Sequence, residues 1–244
     1  MFSKEQVNFL TAATPSSITP VLQLQSWVSL IYTFKPKKYL EVGAFEGRSF
    51  SLFCAIASSV DQEALFVTSI DSWQGGSEHV LSRHDMKSAE SYYDSVVNAC
   101  KTVLGSRLKS EKLKGLSHLA LHKIHDREGF YDMIFIDGGH KSKEVLTDLV
   151  LSWNLLANGG VLVIDDYIWM GSPNIVLDSP KLGIDSFLSC FAGEYTIIAN
   201  LPLNQLYLCK QDPKHALINQ SANAIAIPSF SIPLNLSYFS PNPS

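Results

Sequence analysis

Lys38-Tyr-Leu-Glu-Val-Gly-Ala-Phe-Glu-Gly-Arg-Ser49 reads as a short strand, a glycine turn and the first turn of a helix. The apolar residues stop at Val42. Gly43 then permits a tight turn and close approach of a ligand to the backbone. Gly47 lets the helix, over about 47–58, begin near the strand. Ser49 brings a hydroxyl to the helix N-terminus, where exposed N–H groups favour an anion. Glycines so spaced also serve structural turns, so the stretch gains its meaning from its neighbours.

Working outward, strand-like and helix-like segments alternate. Upstream, Val21, Leu22, Leu24, Trp27, Val28, Ile31 and Tyr32 recur at helical spacing. Downstream, 64–70 reads as a strand ending at Asp71, 85–104 as a long polar helix, and 107–113 as a weaker strand. A helix over 116–126 follows, then a strand, Tyr131 to Ile136, ending at Asp137. The next helix spans 142–156 and is expected to stop at Asn158-Gly-Gly160, because glycine ends helices. Val161 to Ile164 is a fifth strand, ending at Asp165. After a helix over 183–191, strands at 195–198 and 205–209 are joined by a link too short for a helical crossover, so they should pair antiparallel. The expected fold is α/β: a Rossmann-like, doubly wound, seven-stranded and mostly parallel sheet closed by an antiparallel C-terminal hairpin.

Such sheets bind ligands at the carboxyl ends of their strands. Here those ends carry Gly43, Asp71, Asp137, Asp165 and Asp166. Gly47 precedes Asp71 by 24 residues, near the roughly 20-residue offset of the acidic residue that takes ribose hydroxyls. A surface aspartate at a strand end would look the same. Asp137, Asp165 and Asp166 end neighbouring strands and would repel one another unless a cation neutralised them. All-oxygen ligands suit Mg²⁺ or a similar hard ion. His140 can face the same cleft and act as a base near neutral pH. Loop-capping aspartates and a solvated histidine are the plainer alternative.

Composition narrows the class. The chain has 244 residues, 46% hydrophobic and 17% charged, which is enough for one domain with a substantial core. A net charge of −4 argues against a nucleic-acid partner. Cys54, Cys100, Cys190 and Cys209 lie far apart with no metal-ligand spacing, so a reducing compartment fits best. The start lacks a signal-peptide pattern and no apolar run reaches membrane-span length, which points to the cytoplasm and no membrane partner. Residues 1–34 are expected to form a helical cap, 35–212 the ligand-binding domain and 213–244 a tail. From His215 onward that tail has no charged side chain apart from histidine.

Taken in order, EVGAFEGRS, SIDSW, LKGLS, YDMIFIDGGH and GGVLVIDDY resemble class I S-adenosylmethionine (SAM)-dependent methyltransferases. Within that class they are similar to the metal-dependent O-methyltransferases of the catechol and macrolide-sugar type. The resemblance covers about 39–210. It implies that Glu41, Gly43 and Ser49 line the methionine end of the cofactor, with Gly47 in the same turn, and that Asp71 holds the ribose. It implies that Gly115 to Ser117 form the adenine-contacting turn and that Asp137 also borders the cofactor. It matches Asp137, Asp165 and Asp166 to the metal ligands and His140 to the catalytic base. Asp166 stands where the catechol enzyme has Asn and the sugar enzymes an acidic residue. The implied reaction is metal-assisted O-methylation of a small hydroxylated substrate, sugar-like or a natural-product intermediate, by a possible homodimer.

Two other readings stay open: metal-independent N-methylation on the same fold, and a non-catalytic oligomeric binding module derived from it. Trp73 could cover the adenine or anchor local packing, with His79 near the substrate or on the surface. Arg48, Arg83 and His84 could meet an acidic substrate group. Tyr167, Ile168 and Trp169 could wall the substrate. His118, His122 and His125 share a helix face and read as surface histidines.

Overall fold

The computed structural model describes residues 21–76, 85–169, 176–199, 205–211 and 224–226. The elements in chain order are α1 (Val21–Phe34), β1 (Lys38–Val42), α2 (Arg48–Val60), β2 (Leu65–Asp71), α3 (Met86–Leu104), β3 (Leu108–Lys114), α4 (Ser117–Lys123), β4 (Tyr131–Ile136), α5 (Ser142–Trp153), β5 (Leu156–Ile164), α6 (Pro180–Cys190), β6 (Tyr195–Ala199), β7 (Leu206–Lys210) and β8 (Ala224–Ala226). The strands form one sheet in the order β3-β2-β1-β4-β5-β7-β6-β8. The first five pair parallel, and β7 runs antiparallel to both β5 and β6. This is the expected doubly wound sheet with its antiparallel closure. The tail adds an eighth strand, because β8 pairs parallel with β6.

Period-two alternation puts the central strands between two apolar layers. Tyr39, Met133, Phe135, Val161 and Val163 point to one face, against Trp27, Phe50, Phe53 and Tyr93 of α1, α2 and α3. Leu40, Val42, Ile134, Ile136, Leu162 and Ile164 point to the other, against Leu121, Leu149, Trp153 and Phe187 of α4, α5 and α6. Cys54, Cys100 and Cys209 are buried as free thiols, and Cys190 is exposed.

One boundary differs from expectation. Helix α5 stops at Trp153, short of Asn158-Gly-Gly160, and those glycines lie inside β5. Leu156 already pairs with Tyr131, and the register shifts between Tyr131 and Met133. Strand pairing has overridden the helical pattern, and Gly159, at φ +79°, takes up the irregularity. Of the expected cap over 1–34, α1 is the described part. Its Trp27, Val28, Leu30 and Ile31 are buried in the first layer. Among the described residues, no helix is long and apolar enough to cross a membrane.

Candidate active site

The carboxyl ends of β1, β2, β3, β4 and β5 lie side by side, so Gly43, Asp71, Gly115, Asp137 and Asp165 share one sheet edge. Backbone hydrogen bonds lock that edge: Gly43 N–H donates to Ile70 O, Gly115 N–H to Asp71 O, Asp137 N–H to Val42 O and Asp165 N–H to Ile136 O.

The first turn is built differently from its sequence reading. Gly43 has φ +92°, and a Cβ there would overlap the carbonyl oxygen of Asp137. The close approach that it permits is therefore to the neighbouring strand end. Gly47, at φ +81°, packs against Tyr93 and Val96 of α3. Glu41 is fully buried and accepts hydrogen bonds from Ser49 Oγ at 2.5 Å, Ser69 Oγ at 2.6 Å and Tyr39 OH at 3.3 Å. The Ser49 hydroxyl thus serves Glu41, and the pair braces the turn from inside. The resemblance implied that both side chains line the methionine end of the cofactor; here they meet each other. Burial pushes the Glu41 carboxyl up to about 7, against the pull of its hydroxyl donors.

Asp71 organises the turn from the other side. Its two oxygens accept from Phe45 N–H at 2.8 Å and Trp73 N–H at 2.7 Å. Trp73 Nε1 donates to Phe45 O at 2.8 Å. Both Phe45 and Trp73 have positive φ, a strain that these bonds hold in place. Trp73 is buried against Tyr93 with Lys112 over its ring, so it is a packing anchor. His79, Arg83 and His84 lie outside the described residues. Ser117 opens α4 beside the buried Asp148 of α5, whose carboxyl burial pushes up to about 7.

The loops that follow β4 and β5 bring acidic residues together with a histidine. Among the described residues, donor atoms of Asp137, His140 and Asp166 lie within 4.8 Å of one another. Asp165 adjoins this group and accepts from Asp166 N–H at 2.9 Å. Burial, then the neighbouring Asp165 and Asp166, raises the Asp137 carboxyl well above the carboxylate range. Burial and Asp166 push Asp165 up to about 6. His140 Nε2 sits 2.7 Å from Asp166 Oδ2, and its ring lies 4.6 Å from that of Trp169. Asp166 has φ +60°, an uncommon left-handed conformation for a non-glycine residue.

Positive charge at the cluster comes from a residue read only as a possible substrate contact. Arg48, at the start of α2, interacts with both Asp137 and Asp165, while its own burial lowers its pKa. Tyr167 is turned away, bonding Asp185 and Lys181 of α6. Ile168 is exposed, which leaves Trp169 as the aromatic side chain against His140. His118, His122 and His125 are exposed, and the rings of the last two stack.

No curated protein sequence matches the chain. The fold matches solved structures. The SAH-bound methyltransferase PaMTH1 of Podospora anserina aligns with a TM-score of 0.56 at 14% identity, over 86% of this chain and 89% of that one. The O-methyltransferase of Bacillus cereus in complex with SAH aligns at 0.56 and 18%, over 86% and 92%. The O-methyltransferase TomG of Streptomyces achromogenes, involved in tomaymycin synthesis and bound to SAM, aligns at 0.56 and 16%, over 86% and 91%. A family model described as a methyltransferase domain matches residues 40–167, from within β1 to just past the acidic cluster. That span is more than half of the chain and contains every residue of the site edge, and the chain belongs to this methyltransferase family.

Proposed function

We propose that the protein transfers the methyl group of SAM to an oxygen of a small hydroxylated substrate, with a divalent cation at the acidic cluster. The observation that carries this reading is the convergence of Asp137, His140 and Asp166 on the sheet edge that also presents Asp71 and Gly115. The paired carboxylates of Asp137 and Asp166, with Asp137 buried and repelled by its neighbours, fit a divalent cation. Asp137 and Asp166 would hold it, with Asp165 alongside. When bound, the cation supplies Lewis acidity toward a substrate hydroxyl and SAM supplies an electrophilic methyl group.

The chain's own residues do the rest. Asp71 presents carboxylate oxygens, each already fixed by a backbone N–H, to a vicinal diol. Gly115, tied to Asp71 O, and Ser117 border the place beside it where a base would lie. Asp166 orients the His140 imidazole, and His140 receives the substrate proton. Trp169 shields that imidazole on one side. Rate then derives mainly from positioning. An oxygen-rich acceptor, sugar-like or a natural-product intermediate, suits so acidic a cleft.

The test is calorimetric titration of the folded protein with SAM and with SAH, each with and without Mg²⁺ or Mn²⁺. Micromolar binding that disappears in Asp71→Ala supports the cofactor site. A substrate screen of sugars and catechols follows, with His140→Ala and Asp137→Ala expected to lose turnover. Full activity in both folded variants would sink the mechanism. Turnover unaffected by chelators would favour the metal-free reading, in which the carboxylates bind an amine or another cationic group of the substrate and the reaction is N-methylation.

A further inference from the structure

Gln205 stands just before β7 and is 1% exposed. The register of β5 and β7 brings Ile164 opposite Leu206 in an antiparallel pair. The next residues outward along that ladder are Asp165 and Gln205, so the two face each other at the reactive edge. The carbonyl oxygen of the Gln205 amide accepts from Trp27 Nε1 at 3.2 Å and from Tyr207 OH at 2.6 Å. An indole nitrogen can only donate, so Trp27 dictates which end of the amide it meets. The NH₂ end must point the other way. It is buried, has no fully formed hydrogen bond among the described residues, and lies toward Asp165, whose ionised form it favours as a hydrogen-bond donor.

We infer that Gln205 is a positioning residue for Asp165, and that through it α1 and the closing strand β7 set the geometry of the acidic cluster. A buried amide donor aimed at a carboxylate is costly unless the carboxylate uses it. Asp165 has one oxygen engaged by Asp166 N–H and also feels Asp137, Asp166, Arg48 and His140. The Gln205 amide carries no charge, so it can orient Asp165 without adding any. Partners of this kind orient the groups that meet a metal, and their loss costs about 10- to 100-fold in affinity. Nothing in the local sequence around Gln205 marks it, because its relation to Asp165 exists only through strand pairing.

This inference rests on the metal reading above, and its test separates the two. Mn²⁺ and SAH affinities and the thermal midpoint are measured on the full-length wild type, on Gln205→Met and on Trp27→Phe. Gln205→Met keeps the length of the side chain and removes the donor. It should weaken Mn²⁺ binding about tenfold, with SAH affinity unchanged. Trp27→Phe frees the amide to turn over and should weaken Mn²⁺ in the same direction, which keeps the idea testable if the methionine variant folds poorly. In an Asp165→Asn background the effect of Gln205→Met should vanish, because it acts through that carboxylate. Wild-type Mn²⁺ affinity in Gln205→Met, or an undiminished loss in the Asp165→Asn background, overturns the inference. Wild-type protein that binds SAH and no divalent cation brings down the metal reading and this role with it.

Discussion

The Cα of Gly43 lies so close to the Asp137 carbonyl that a side chain on residue 43 would occupy the same space as that oxygen. The end of β1 and the start of the acidic cluster are therefore one packed unit. Gly43→Ala combines a backbone clash with a φ of +92°. Strain and overpacking together are expected to cost about 3 kcal/mol or more. Gly159→Ala, at φ +79° with open space around it, is the control and should cost about 1 kcal/mol. Urea unfolding of both variants checks the contrast. Similar losses at the two positions would mean that the β1 and β4 ends are not locked together.

Lys210 holds the end of α5. Its Nζ donates to Trp153 O at 2.7 Å and Leu156 O at 2.9 Å, and it lies over the Trp153 ring. The two carbonyls flank the point where the helix gives way to β5, and a cation is favoured at a helix C-terminus. Lys210→Met keeps the aliphatic stem but leaves these carbonyls without their donor. A loss of about 1–2 kcal/mol in urea unfolding is expected. No loss would assign that boundary to strand pairing alone.

These contacts mark where the sequence was legible. The doubly wound parallel sheet, the gathering of Asp71, Asp137, Asp165 and Asp166 at its carboxyl edge, and the antiparallel closure all follow from local patterns and link lengths. The inward turn of Glu41 and Ser49 does not, because it depends on Ser69 arriving from β2. The end of α5 departs from its helical pattern because Leu156 answers to Tyr131 across the sheet, a pairing that no helical period encodes. From sequence Arg48 reads as a possible substrate contact, yet its position at the start of α2 brings it to the carboxylates that follow β4 and β5. Gln205 had no local signal at all.

Arg48 also changes the argument for a metal, since the carboxylates do not face one another uncompensated. Its guanidinium interacts with Asp137 and Asp165 and competes with any other cation there. Removing one positive charge several ångströms from a doubly charged ion favours that ion by at least about 1 kcal/mol, even at the dielectric of water. Arg48→Met should therefore bind Mn²⁺ several-fold more tightly than wild type in calorimetry. Weaker binding would show that Arg48 organises the carboxylates more than it repels a cation.

Glu41 makes stability depend on pH. Its carboxyl stands at about 7 in the folded protein against 4.5 for an unperturbed group, with burial as the first cause. Between those values the folded chain holds a proton that the unfolded chain has released. The contribution to stability is therefore complete below about pH 4.5 and is lost as the pH rises toward 7. The full loss is about 3 kcal/mol. Asp148 and Asp165 are raised as well and act in the same direction, so wild type alone cannot isolate Glu41. Glu41→Gln can: a glutamine accepts from one serine hydroxyl, donates to the other and never ionises. Relative to wild type, this variant should gain about 2–3 kcal/mol on going from pH 5 to pH 8, because part of the loss has already occurred at pH 5. Urea unfolding of both proteins at the two pH values measures this. A stability difference that stays constant with pH would mean that Glu41 is already ionised in the folded chain, with Ser49, Ser69 and Tyr39 overcoming the cost of burying it.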